Sequence, residues 1–303
     1  MEKKISLRLV VETLLALVSF GFTPVLIKSV SANPYTIGIV RLCITMVLTG
    51  IFLASFKEIK ALSFKQVKSL ALMGFLFGAH WVTYFISIKI GSASIAFLGL
   101  CTFGIHLILL GWIMKLRKPQ WNDFLAVALV ICGSLMVTPE FSLENNQTLG
   151  LLVAIISAVF FAGLPILQQR NSEISGSVRA FGQYGFALVL FLFTLPLTEW
   201  ESLTKSDWMG LVALSVVCTF IAHTLWVKAT TELPTTVSSI IYYLTLPLAM
   251  GISYMFLGEE MTLEKVGGAL LIIVANIISI LPKLKSNKTL EEKKIEQETL
   301  EER

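Results

Sequence analysis

The sequence predicts an all-α integral membrane protein with ten transmembrane helices built from two inverted five-helix repeats. Three observations predict it. The composition is too apolar for one soluble core. Ten apolar runs have near-spanning length. The second half retraces the first at a fixed offset, with its loop charges reversed.

The 303 residues are 55% hydrophobic and 15% charged, with a mean hydropathy of +0.79. A soluble domain carries roughly 25% charged residues. The formal net charge is only +4, and the basic residues gather on no single patch, so no nucleic acid is expected as a partner. Cys43, Cys101, Cys132 and Cys218 lie inside apolar runs as small hydrophobes, without disulfide or metal-ligand spacing. Neither a metal nor a cofactor is expected.

Taken in order, the first run, about Leu9–Lys28, follows Lys3, Lys4 and Arg8. It has the outline of a signal peptide cleaved after Val30-Ser31-Ala32. Pro24 and Lys28 interrupt it before that site, so it is read as a retained helix. Further runs cover about Tyr35–Phe56, Val67–Ile88, Ser92–Met114, Asn122–Thr138, Leu149–Gln169, Val178–Leu197, Trp208–Ala229, Thr235–Leu257 and Leu263–Leu281. Each approaches the ~20 residues that cross a hydrocarbon core. The runs are continuous, not alternating, so helices and not a barrel satisfy the backbone in lipid. Pro24 and Pro165 are expected to kink or loosen the first and sixth helices. Gly74 and Gly78 form a small-xxx-small contact face on the third. Trp112, Trp121, Trp200 and Trp208 mark span ends as interface anchors. The tail from Lys283 to Arg303 mixes both charge signs and is assigned no chemistry.

The stretch from Ala222 to Ile280 retraces, without a gap, the stretch beginning 143 residues earlier at Ala79. His80 falls on His223, Thr102 on Thr245 and Ala126 on Ala269. Each repeat then holds five helices, over residues 1–143 and 144–282, with 283–303 as a charged cytoplasmic tail. Placing the N-terminus in the cytoplasm puts nineteen of the 24 basic residues inside, among them Lys57, Lys60, Lys65, Lys68, Lys115, Arg117 and Lys118. Lys28, Arg41, Lys89, Lys205 and Lys265 remain outside, where the loops carry Glu140, Glu144, Glu199, Glu201, Asp207, Glu259, Glu260 and Glu264. Both termini are therefore expected inside. An odd helix number per repeat forces opposite orientations, as the basic Lys115–Lys118 loop and its acidic counterpart Gly258–Glu260 require. Inverted repeats are a transporter device, with the substrate held at their interface near the midplane.

Polar side chains within a span are costly and should face a cavity or a partner. On helix three, His80, Thr83, Tyr84 and Ser87 share a face. On helix eight, Thr219, His223, Trp226 and Thr230 do so. Helix nine contributes Ser238, Tyr242 and Thr245, and helix four Gly99, Thr102 and His106. Ser19, Thr23, Ser157 and Gln168 come from helices one and six. The substrate-cavity candidates are accordingly His80, Thr83, Tyr84, Thr102, His106, Gln168, His223, Trp226, Tyr242 and Thr245. The competing explanation is that these groups only join helices by hydrogen bonds. Lys28 and Arg41 flank the first outer turn, either snorkelling outward or offering charge to an anionic group at the outer mouth. No carboxylate sits near a helix centre, which argues against a carboxylate proton relay.

Several motifs also carry a resemblance. Glu232-Leu233-Pro234, then Tyr243-Leu244-Thr245-Leu246-Pro247, Leu257-Gly258-Glu259 and Gly267 to Asn276 resemble the final helices of the drug/metabolite transporter superfamily, EamA type. Phe20-Gly21-Phe22, Pro24, Lys28, Pro34 and Arg41 resemble its opening helices. The likeness spans residues 9–281 or thereabouts. Gly104 stands where a proline would echo Pro247, and Lys115-Leu116-Arg117 replaces the Leu-Gly-Glu of the second half. The resemblance implies export of amino acids, metabolites or drugs.

The expected activity is secondary transport, with no enzymatic chemistry. A small organic metabolite, an amino acid or a similar amphipathic solute, would be exported by alternating access around a midplane cavity. The expected setting is a bacterial inner membrane, with the lipid bilayer as solvent and the chain a monomer or homodimer. The alternatives are a non-transporting receptor or assembly subunit and an intramembrane enzyme. The latter lacks any Gly-x-Ser-x-Gly or His-Glu-x-x-His motif.

Overall fold

A computed structural model describes residues 7–52, 56–115, 118, 120–137, 142–232 and 241–279, without the side chains of 227, 228 and 230–232. These residues are helical wherever they are regular. The helices are α1 (Leu7–Ser29), α2 (Pro34–Phe52), a short α3 (Phe56–Lys60), α4 (Phe64–Ile90), α5 (Ala93–Leu100), α6 (Phe103–Ile113), α7 (Trp121–Val137), α8 (Asn146–Arg170), α9 (Gly176–Leu192), α10 (Lys205–Ser215), α11 (Ala222–Glu232) and α12 (Thr245–Leu257). A last helix, α13, covers 263–279.

Six described helical segments are long and apolar enough to cross a membrane: Leu7–Ser29, Pro34–Phe52, Phe64–Ile90, Ala93–Ile113, Asn146–Arg170 and Lys205–Trp226. Trp121–Val137, Gly176–Leu192 and Ile241–Leu257 are shorter apolar helices. Leu14, Leu15, Val47, Ile51, Phe75, Ile131, Leu135, Ile156 and Leu270 are all exposed. Side chains of this kind, spread over many helices, belong against lipid and not water. The protein is a multi-pass membrane protein.

The termini of the helices follow from local chemistry. Ser63 and Gln66 form a reciprocal capping box at the start of α4, and Thr204 with Asp207 does the same for α10. Asn145 caps α8, and Ser92 caps α5. At Gly258 the φ of 65° ends α12 in the left-handed region that glycine enters without strain.

Two spans are interrupted. The first breaks at Cys101–Thr102, where α5 passes into α6 through a turn. The second breaks at Leu244, just before α12. In both, the threonine hydroxyl donates to the carbonyl three residues back: Thr102 to Gly99 at 2.7 Å, and Thr245 to Tyr242. A third irregularity is a π-helical turn over Val216–Ile221, between α10 and α11.

The two expected repeats are not separate bodies. α4 packs between α8 and α9, α1 lies against α12 and α11, and α2 packs on α9 and α10. Gly74 and Gly78 do form the close face expected of them: the nearest groups belong to Phe186, Ala187 and Leu190 of α9. Pro24 and Pro165 both sit inside helices that continue past them. On α3, outside the spans, Glu58 accepts from Ser175 Oγ at 2.6 Å and Ser175 N at 2.7 Å. These donors hold its carboxylate below the usual carboxylate range.

Candidate functional site

A single aromatic cluster occupies the core where α1, α4, α6, α8, α9, α11 and residues 241–243 meet. The helical period sets Phe77, His80, Trp81 and Tyr84 along one side of α4. His80 stacks on Tyr84, centroid to centroid 5.7 Å, and meets Phe161 of α8 at 4.8 Å. Phe77 lies between the two histidines, 6.2 Å from His80 and 6.4 Å from His223. Tyr242 lies 5.4 Å from Trp226, 5.6 Å from Phe103 and 6.5 Å from Phe161. Phe20 of α1 closes the group against His223 at 5.1 Å and Trp226 at 6.2 Å. Histidines that the sequence places 143 positions apart therefore share one neighbourhood.

His80 is held in a defined tautomer. Ser157 Oγ donates its only proton to the His80 carbonyl oxygen at 2.8 Å. The same Oγ lies 2.7 Å from His80 Nδ1, so Nδ1–H is the donor there. In the neutral ring this leaves Nε2 with a lone pair, able to accept a hydrogen bond from a solute. Tyr84 Oη is buried and has no hydrogen-bond partner among the described residues.

Arg41 is placed differently from the outer position considered for it. It lies about two turns into α2 and is 2% exposed. Its guanidinium sits over the ring of Trp81, 4.3 Å from the centroid, and 5.4 Å from that of Phe85. Nε donates to Thr219 Oγ1 at 2.9 Å, while Nη1 is buried without a partner among the described residues. The π-helical turn explains this acceptor. Thr219 sends its own proton five residues back, to the Leu214 carbonyl at 2.8 Å, and turns a lone pair toward α2. Lys28, by contrast, remains at the end of its helix. Its Nζ donates to the carbonyls of Ile88, Lys89 and Gly91 at 3.0, 3.1 and 2.7 Å. It thereby satisfies carbonyls that the end of α4 leaves open.

The other candidates divide. His80, Tyr84, His223, Trp226 and Tyr242 come together in the cluster. Thr83 bonds only to its own helix, at the Ala79 and His80 carbonyls. Thr102 and His106 pair at 3.2 Å, and Thr245 serves the break before α12. Gln168 donates to Gln183 of α9 at 3.1 Å, and its carbonyl accepts from Arg179. Ser238 lies outside the described residues, as does the side chain of Thr230. Among the described residues no group of three potential metal ligands occurs, and the four cysteines are free thiols.

Several site residues escaped sequence reasoning. Phe77, Phe103, Phe161 and Tyr184 were not singled out and Phe20 entered only through the family resemblance, because no periodicity distinguishes a cluster ring from a lipid-facing one. Gly104 had a subtler signal, as the residue in place of proline. A Cβ there would stand 2.0 Å from Asn276 Oδ1 and 2.6 Å from Tyr243 Oη, so its glycine makes room for a buried asparagine. Glu259 was assigned only to a loop. Its carboxylate accepts from Ala93 N at 2.7 Å, Ser94 N at 3.0 Å and Ser94 Oγ at 2.5 Å. It thus caps α5 across the bundle, beside the carbonyls that Lys28 caps. Asp207 binds Ser31 N at 2.6 Å in the same manner. These contacts join the helix ends on one side of the aromatic cluster.

Comparison with known proteins agrees with this architecture. The sequence model of the EamA-like transporter family matches residues 9–138 and 148–281. A Bacillus subtilis (strain 168) protein described as the uncharacterized transporter YxxF is 22% identical over 294 residues, covering 95% of this chain and 94% of that one. The uncharacterized transporter sll1319 of Synechocystis is 28% identical over 158 residues, covering 50% of this chain and 48% of that protein. A solved crystal structure superposes with a TM-score of 0.60 over 90% of this chain and 96% of that chain, at 13% identity, which is a likeness of fold. With the family match extending over most of its length, the chain belongs to the EamA-like transporter family, within the drug/metabolite transporter superfamily.

Proposed function

We propose that the protein is a secondary transporter that exports a small amphipathic organic solute, such as an amino acid, by alternating access around the aromatic cluster. The observation that carries this reading is the cluster itself. Rings from helices of both halves converge on two histidines, deep in a bundle whose outer surface suits lipid. Aromatic faces suit an apolar body, and His80 Nε2 supplies an acceptor. An enzyme would need a nucleophile with a base, or a metal; in the one serine–histidine contact described at the rings, Ser157 gives its proton to a backbone carbonyl and not to the imidazole.

Ten spans in two inverted repeats are part of the same proposal. It is supported by the two interrupted helices, whose breaks at Thr102 and Thr245 fall at aligned positions with the same hydroxyl-to-carbonyl bond. The two stretches matched by the family model also divide the chain near residue 143. In this reading residues 1–143 and 144–282 are the repeats, and 283–303 is a cytoplasmic tail. Both termini face the cytoplasm of a bacterial inner membrane. The Glu259 and Lys28 contacts then close the outer side, so the arrangement is an outward-closed state. The bias of basic residues supports this orientation. Single cysteines at Glu144 and Thr204, in a cysteine-free background, are expected to react with impermeant thiol reagents from outside. Cysteines at Lys60 and Lys65 are expected to be protected until the membrane is opened. Outside labelling at Lys60 rejects the orientation.

Transport is tested by flux. Proteoliposomes loaded with radiolabelled amino acids, nucleosides or sugars are expected to release at least one class faster than protein-free vesicles. No protein-dependent flux for any class would favour the receptor or assembly-subunit reading.

A further inference from the structure

The most unusual group in the bundle is a buried cation without a counter-ion among the described residues. Arg41 is 2% exposed, well inside a span, and hydrogen-bonds through Nε alone. Among the described residues no side chain salt-bridges to it, and they contain a single ion pair, Arg8 with Glu12. The ionisable groups described near it include Cys218, Tyr184, Tyr84, His80 and His223. None of these is a carboxylate. A charge at membrane depth is costly and is normally paired. The Trp81 face supplies part of the compensation. The rest is open: Nη1 has no acceptor, and Tyr84 Oη, one turn from Trp81 along α4, has none either.

We propose that Arg41 is a binding residue for the solute: the solute carries one carboxylate, which docks on the free guanidinium edge with Tyr84 Oη as second donor. This rests on the transport reading and names the substrate class for the same site. Three observations select a single carboxylate. Arg41 Nη1 can only donate and the Tyr84 hydroxyl can donate, so one acceptor satisfies both. A guanidinium edge matches the planar, two-oxygen shape of a carboxylate. Among the described residues Arg41 is also the one cation set against the Trp81 and Phe85 rings. Lys28 is spent on three backbone carbonyls and Lys89 on that of Val30, so a doubly charged phosphate would stay half-compensated. The adjoining rings receive the apolar body. The π-helical turn gives the arrangement its orientation, since Thr219 fixes the Nε side of the guanidinium and leaves the other edge free.

The test compares pairs of ligands that differ only in the acid. The purified full-length protein is titrated with 3-phenylpropionate, L-phenylalanine and L-leucine, and with the corresponding amides. 2-Phenylethyl phosphate is the dianionic control. Binding is read by tryptophan fluorescence, since Trp81 lies beside Arg41, and by thermal shift. Hydrogen bonds to a charged group are worth about 1.5–3 kcal/mol, so at least one acid is expected to bind about tenfold or more tightly than its amide. Arg41→Gln is expected to abolish that preference, and Arg41→Lys to retain part of it. Tyr84→Phe keeps the ring and is expected to weaken the acid several-fold and the amide less, since a hydrogen bond to a charged acceptor is the stronger one. If Arg41→Gln does not fold, the acid–amide comparison in the unmodified protein and Tyr84→Phe decide the matter. Amides binding as tightly as acids, or no acid binding at all, overturns the proposal. Flux separates the two readings. Movement of neutral solutes with no acid preference leaves transport standing and removes Arg41 from the site, whereas absence of any flux removes both.

Discussion

Trp226→Ala is expected to lower solute flux by about tenfold or more while leaving the folded protein intact. Trp226 is partly exposed, and its ring contacts Tyr242 at 5.4 Å and Phe20 at 6.2 Å. An aromatic pair contributes about 0.5–1.5 kcal/mol beyond the area it buries, and a ring at a binding surface adds its contact with the solute. Tyr84→Ala is a poorer choice. Tyr84 is 4% exposed, and emptying a fully buried aromatic position costs roughly 3–5 kcal/mol, enough to confuse lost transport with lost folding. Trp226→Ala should shift the melting temperature by only a few degrees, with Trp226→Phe recovering most of the flux. Full flux in Trp226→Ala, at normal expression, would show that the ring only packs helices.

Gly74→Leu is expected to prevent assembly of the bundle. A Cβ at Gly74 would stand 2.3 Å from Phe186 Cβ, 2.9 Å from Ala187 N and 3.0 Å from the Gln183 carbonyl oxygen. Two of these are backbone atoms of α9, so no rotamer change can yield space. The helices must separate, along one of the most extensive helix pairings in the molecule. Overpacking typically costs about 1–3 kcal/mol, and more where backbone must move. Against a total stability of ~5–15 kcal/mol that is a large share. The expected readout is aggregation in size-exclusion chromatography or a melting temperature lowered by many degrees. Gly251→Ala in α12 is the control. Nothing lies within 4 Å of a Cβ there, so it should be neutral or slightly stabilising. A well-folded Gly74→Leu protein would remove the α4–α9 contact as a determinant of the fold.

Much of the site was visible in the residues themselves. His80, Tyr84, Trp226 and Tyr242 stand out because a polar or amphipathic side chain inside an apolar run demands a partner. Helical period then grouped His80 with Tyr84 and His223 with Trp226. Gln168 passed the same criterion, yet its partner is Gln183 on the neighbouring helix and not the cluster. Depth and polarity cannot separate a ligand-facing amide from one that joins two helices. Phe20, Phe77 and Phe161 failed the criterion altogether, because a phenylalanine is at home in lipid, core or cluster alike.

The apolar runs, their lengths and the prolines and glycines between them were enough to determine a helical membrane protein, for a local reason. Backbone polar groups in lipid are satisfied only within a helix, so twenty apolar residues have little choice of structure. Gly74 and Gly78 were likewise legible as a close contact, since small residues four apart leave a groove whatever fills it. Two decisions needed the tertiary structure. One was the place of Arg41: read along α2 it lies near the turn, and only the packing of α2 on α4 and on the widened turn at Thr219 sets it over Trp81, away from lipid and water. The other was the role of Glu259, which reads as a loop charge until the bundle brings it to the open N–H groups of Ala93 and Ser94. Both depend on which helix end meets which across more than 150 positions of chain, as the Arg41–Thr219 and Ala93–Glu259 bonds do. Local pattern carries no record of such meetings, because the energy that selects them arises only when the buried polar groups have to find one another.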